Sequence, residues 1–184
     1  MAQLLSSALG LIELCSVARG LTVCDAVVKR AEVQVVTATT VHPGKYLILF
    51  RGGVDEVSES LQRGRSVAGE TLVDEVFLAQ PHPGLNSVLL APVNVPARSL
   101  GIIETFSAAS AIRGADSALK GGDVTALRLR LADGLGGKAY FIFTGALHDV
   151  DAAMAFGIEA AGAGLLAGSE VIANPHPDFL RALE

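Results

Sequence analysis

The sequence predicts an α+β fold made of two tandem β-α-β-β-α-β units, each an antiparallel sheet with its helices on one face. Three observations lead there. An ordered internal repeat runs through the 184 residues. Within each half, short β-prone apolar runs alternate with segments of helical spacing. In each half, too, a glycine-lysine turn joins two such runs as a hairpin: Val41-His42-Pro43-Gly44-Lys45 in the first, Leu135-Gly136-Gly137-Lys138 in the second.

The repeat is legible residue by residue. Leu9-Gly10-Leu11-Ile12-Glu13 recurs as Leu100-Gly101-Ile102-Ile103-Glu104, and Ser16, Asp25 and Lys29 recur as Ser107, Asp116 and Lys120. The turns come next, then Gly52 with Gly145, Val57 with Val150, and Pro81-His82-Pro83 with Pro175-His176-Pro177. The offset between partners drifts from 91 to 93 to 94, as small loop insertions require. Domains are accordingly expected at residues 7–92 and 99–184, with Pro92 to Ser99 as the linker.

Each element has its own signal. Leu9 to Leu14 reads as a short strand. Val17, Leu21, Cys24, Val27, Val28 and Ala31 follow helical spacing and predict a helix over about 17–31 with one buried face. A strand from Val33 to Val41 meets the first turn, and Tyr46 to Phe50 returns as a continuously apolar central strand. Gly52-Gly53 stops it. Val54, Val57, Leu61 and Ala68 then trace a second helix, with Asp55 and Glu56 in the first turn where carboxylates complement the dipole. A last strand from about Leu72 to Leu78 ends before the prolines. In the second half, Leu127, Leu129 and Leu131 alternate with Arg128 and Arg130, and Leu147, Val150, Met154 and Ile158 repeat the second helix.

Composition narrows the function classes. A net charge of -5, with no Lys/Arg run, argues against nucleic acid or an anionic membrane as partner. Aromatics at 5%, without Trp, offer no stacking platform for single-stranded bases. No apolar span of about 18 residues crosses a bilayer, and Glu13 interrupts the apolar start, so a cytosolic chain without a signal peptide is expected. Cys15 and Cys24 are spaced for neither a disulfide scaffold nor a CxxC metal site. The mean hydropathy of +0.48 is high for a lone chain of this size and predicts apolar surface buried between domains or subunits.

Taken together and duplicated, the Leu-Gly-(Leu/Ile)-Ile-Glu start, the Asp25-x-x-x-Lys29 and Asp116-x-x-x-Lys120 helix ends, the Gly-Lys turns and the proline-bounded ends resemble tandem-domain bacterial microcompartment shell proteins. The likeness covers nearly the whole chain and is nearest to the trimeric type of the propanediol-utilisation compartment. It implies a homotrimer with pseudo-sixfold symmetry, a flat hexagonal tile packed edge to edge with other shell proteins around a protein-bounded organelle in the cytoplasm. It implies no enzymatic activity. Small metabolites would cross a central pore lined by His42, Pro43, Gly44, Leu135 and Gly136, and Lys29 and Lys120 would lie at tile edges. Where the family edge often has an arginine beside the proline, this chain has Gln80 and Asn174. Where the propanediol-compartment relative has a pore cysteine for an iron-sulfur cluster, this chain has His42, so no such cluster is expected.

The residues with chemistry of their own are few. Three copies of His42 about an axis would offer imidazoles to a metal ion such as Zn²⁺ and leave a position open, or would simply line and size a polar pore; the second is preferred, with no cofactor. A metal- or redox-cofactor-carrying tile and a soluble small-molecule regulatory module are the alternatives. His82 and His176 are expected in packing or turn roles, and His148 at a helix start. Glu13 and Glu104 have no nucleophile or base nearby in sequence and are expected to bond backbone or a neighbouring domain. The glycines before Lys138 lack the spacing of a phosphate loop.

Overall fold

The computed structural model describes residues 7–183. The first repeat runs β1 (Ala8–Leu14), α1 (Val17–Arg30), β2 (Val33–Val41), β3 (Lys45–Gly52), α2 (Val54–Ala68) and β4 (Leu72–Leu78). The second runs β5 (Ser99–Thr105), α4 (Ala108–Gly121), β6 (Val124–Leu131), β7 (Ala139–Gly145), α5 (Leu147–Ala161) and β8 (Leu166–Ile172). Two four-stranded antiparallel sheets result, ordered β2-β3-β1-β4 and β6-β7-β5-β8. This is the expected fold class.

Two short helices are additional: α3 (Pro83–Leu90) and α6 (Pro177–Leu183) follow the Pro-His-Pro segments. Proline at the first helical position loses no intrahelical bond, so these prolines start helices instead of only ending strands. His82 is the cap, its Nδ1 accepting from Gly84 N–H at 3.1 Å, and His176 does the same for Asp178 N–H at 3.1 Å.

The chain forms two compact units that exchange segments of the repeat. One holds the described residues up to Pro81 with Ser107–Ala109 and Ala132–Gly137; the other holds His82–Phe106, Ser110–Leu131 and the chain from Lys138 onward.

In the first unit, Ile12, Leu14, Val23, Val27, Ile48, Phe50, Val57 and Leu61 form the core between the sheet and the α1–α2 pair. The repeated glycine of the strand signature has a steric reason. Gly10 lies opposite Phe50, and a Cβ there would sit 2.6 Å from the ring; Gly101 faces Phe143 with a Cβ at 2.3 Å. Each glycine makes room for an aromatic that fills the core.

The buried face of α1 differs from the expected one. Gly20, Val23 and Val27 are buried, whereas Leu21 is 59% and Val28 44% exposed. Gly20 sits against Tyr46, where a Cβ would come within 2.4 Å of the ring, and this approach turns the glycine side of the helix to the sheet. In β6 the alternation is also broken: a bulge between Ala126 and Arg128 takes Leu127 out of register, so Ala126 and Leu129 are the buried pair. A matching bulge falls between Val35 and Thr37 of β2.

Candidate functional site

The two repeat turns build one site within the first unit. Val41 ends β2, and Gly44 N–H returns to Val41 O at 2.9 Å, closing a four-residue turn with a cis His42–Pro43 peptide and Gly44 at φ 105°. His42, Pro43 and Gly44 are exposed. The second turn is longer: Gly134, Gly136 and Gly137 all have positive φ, Leu135 is half-buried and Gly136 exposed.

Lys45 ties the turns together. Its Nζ donates to Glu13 Oε1 at 2.7 Å and to Gly137 O at 3.3 Å. Gly137 is favoured by its φ of 86°, and a Cβ there would press on Pro43 and Lys45 at 3.1–3.2 Å. The structure therefore brings His42, Pro43 and Gly44 to the loop that carries Leu135 and Gly136.

Glu13 is the anchor beneath them. Its side chain is fully buried, with Oε1 accepting from Lys45 and Oε2 accepting the Ala108 N–H at 2.7 Å, the first amide of α4. A helix's first amides have no intrahelical acceptor, so a carboxylate there satisfies one and meets the positive end of the dipole. Burial pushes the Glu13 carboxyl above the ordinary glutamate range; Lys45 and the Ala108 N–H pull it down, and Asp74 adds to the rise. Asp74 itself accepts from the Ser107 hydroxyl. The expected backbone bond of Glu13 is thus present. The lysine of the Gly-Lys turn is its unforeseen partner, and the same pairing recurs in the second unit, where Lys138 and Glu104 meet at 2.7 Å. The signal was the repeat, which conserves the glutamate and the lysine together in both halves.

The lysines expected at edges lie apart from the turns. Lys29 pairs with Asp25 at 2.6 Å on an exposed face, and Lys120 with Asp116 at 2.5 Å. Asp116 also accepts the His82 N–H at 2.7 Å. His148 is in the first turn of α5, exposed and 3.3 Å from Asp149. Arg128 is half-buried and Arg130 exposed.

Among the described residues of one chain, no three His, Cys, Asp or Glu side chains gather as a metal site, so a metal on His42 requires the same residue from other copies. Nor, among them, is any helix long and apolar enough to cross a membrane. A cavity of about 420 Å³ in the second unit lies under the linker, lined by Val93, Val95, Leu127, Arg128, Ile142 and Leu180 among others.

Comparison with known proteins agrees with the fold. The model of the BMC domain family matches residues 8–81 and again 99–175. The bacterial microcompartment shell protein PduT of Citrobacter freundii is 37% identical over 181 residues, 97% of this chain and 98% of the relative. The carboxysome shell protein CcmK2 of Synechococcus elongatus is 31% identical over 103 residues, 54% of this chain and 95% of its own. The crystal structure of a microcompartment protein from Desulfitobacterium hafniense superposes with a TM-score of 0.85 at 36% identity, covering 96% of this chain and 99% of that one. A fused, permuted hexameric shell protein of the RMM microcompartment shares the fold at 22% identity, with a TM-score of 0.66 over 84% of this chain and 83% of its own.

Proposed function

The chain belongs to the BMC-domain family of bacterial microcompartment shell proteins, and on that premise we propose that three copies close head to tail into a pseudohexagonal tile around the two turns. Its role is structural; its relatives are shell proteins and not enzymes.

One observation carries the ring. Equivalent faces of the two repeats are buried in one copy and bare in the other. On α4, Ala109 and Ile112 are 0% and Leu119 is 4% exposed; their counterparts on α1 are exposed Ala18, Leu21 at 59% and Val28 at 44%. The same sequence feature is therefore core in one half and unsatisfied in the other. A second copy presenting the other repeat covers α1, and the bare face then passes to that copy. Such a heterologous contact ends only when a ring closes. With two repeats per chain, closure at three chains gives six similar domains.

In the ring, His42, Pro43, Gly44, Leu135 and Gly136 alternate around the axis and line a pore for small metabolites. Its selectivity follows from diameter and lining polarity. The first turn projects no carboxylate, the second carries the exposed Asp133, and Lys45 is paired with Glu13. His42 supplies an exposed imidazole, a polar donor and acceptor, to the lining of the proposed pore. The tile holds no cofactor in this reading. Lys29 and Lys120 sit at the outer edges, where tiles pack on one another and on other shell proteins to form the organelle's facet in the cytoplasm. A small-molecule sensor is the rival, with the 420 Å³ cavity as its site. Electron microscopy of the chain produced with shell-protein partners separates them: facets containing the chain are expected, whereas discrete oligomers that never enter a layer would refute the tile.

A further inference from the structure

We propose that successive chains are joined by two hydrogen bonds, each repeating one already made inside the chain. The Glu104 carboxylate of one chain accepts from the Val17 N–H of the next, and Asp25 of that next chain accepts from the His176 N–H of the first. The inference rests on the ring described above.

Within each chain, Glu13 accepts the first amide of α4, Ala108 N–H, at 2.7 Å, and Asp116 accepts the His82 N–H at 2.7 Å. The first of these uses a glutamate of the first repeat and a helix of the second; the second, an aspartate of the second repeat and a backbone N–H of the first. Displaced by one repeat, the same bonds need Glu104 and His176 from one chain, and Val17 and Asp25 from its neighbour.

All four groups are set for this. Glu104 is held by Lys138 at 2.7 Å as Glu13 is by Lys45 at 2.7 Å, but its side chain is 40% exposed where Glu13 is 0%. Asp25 is held by Lys29 as Asp116 is by Lys120, with side-chain exposures of 59% and 7%. His176 makes the same local cap as His82, its Nδ1 accepting from the N–H of the residue two further on. Val17 is the first residue of α1, whose cap Ser16 turns its Oγ to Arg19 N–H and not to Val17. An apolar pair supports the same displacement: Leu85 of α3 is fully buried, and α3 packs on β6, whereas its α6 counterpart Phe179 is 40% exposed. In the ring, α6 lies on the neighbour's β2. One bond has no equivalent, because the place of Asp74 opposite Glu13 is taken by Gly168 opposite Glu104.

Residue-resolved amide hydrogen exchange on the assembled wild-type protein tests this, with Glu104→Ala and Glu104→Gln beside it. In the wild-type ring Val17 is expected to be protected as Ala108 is. Glu104→Ala is expected to speed Val17 exchange at least tenfold with Ala108 unmoved, and Glu104→Gln, which keeps an acceptor oxygen, to restore protection. A trimer in which Val17 exchanges equally fast with and without Glu104 overturns the contact and leaves the ring standing. A wild-type protein that stays monomeric overturns the ring itself. Should Glu104→Ala fail to assemble, rescue by Glu104→Gln supports the contact, and failure of that rescue assigns the loss to the Lys138 ion pair and overturns it.

Discussion

Replacing Leu21 by serine should cost the single chain little and the assembly a great deal. In one chain the residue is 59% exposed, and its repeat counterpart Ile112 is fully buried. Burying a leucine completely is worth about 1.5–3 kcal/mol. The fraction still exposed is therefore worth about 1–2 kcal/mol at each contact, and about 3–5 kcal/mol over the three contacts of a ring. At about 1.4 kcal/mol per factor of ten, the trimerisation constant falls by two to four powers of ten. Sedimentation velocity across a dilution series reads the shift. Phe156→Ser is the matched control: it is 51% exposed, yet its counterpart Arg63 is exposed as well, so the proposed ring would leave both bare. If Leu21→Ser trimerises at the wild-type concentration, or Phe156→Ser dissociates as readily, the reasoning from unequal burial is wrong.

Other perturbations reach other parts of the molecule. Ile112→Ala, at a fully buried site, should cost about 2–5 kcal/mol in denaturant unfolding, far more than any change at Leu21 costs a monomer. Gly101→Ala puts a Cβ 2.3 Å from the Phe143 ring and should cost about 1–3 kcal/mol, partly recovered by Phe143→Leu in the same chain; additive losses would count against the steric explanation. Glu13 has a raised folded pKa, so its stabilising contribution is complete below the unfolded value of 4.5 and is lost as pH rises through the folded value. Glu13→Gln should therefore gain on the wild type as pH rises above 4.5, and a variant that loses ground instead would show that Lys45 outweighs burial. Elemental analysis of the purified trimer should find no metal that depends on His42; about one ion per trimer, absent in His42→Ala, would make the tile a metal carrier.

Much of this architecture can be read without coordinates, because duplication prints each signal twice. Strand positions, the hairpin turns and the acidic first turn of α2 all follow from local pattern, and α2 begins at Val54 as its spacing requires. What is not local is harder. Periodicity assigns α1 a stripe through Leu21 and Val28, because apolar counting gives Gly20 no weight, although its closeness to Tyr46 decides which face turns inward. Bulges after Val35 and Ala126 switch the parity of β2 and β6, and no residue type announces them. The proline-bounded segments read as terminators until histidine is recognised as a cap and proline as a first helical residue. At the site, the turns and their glycines are evident from sequence. The clamp beneath them is not: Glu13 and Lys45 stand 32 residues apart, and only the sheet register brings β1 and β3 together.

In the proposed assembly the bare α1 face and the two turns belong to one closed ring. Cryo-electron microscopy of the isolated particle tests it most directly. Three 18.9-kDa chains are expected about a threefold axis, with α1 of each covered by its neighbour and His42 alternating with Leu135 around the central opening. A particle of another order, or a trimer that leaves Leu21 in solvent and the turns on its rim, would contradict it.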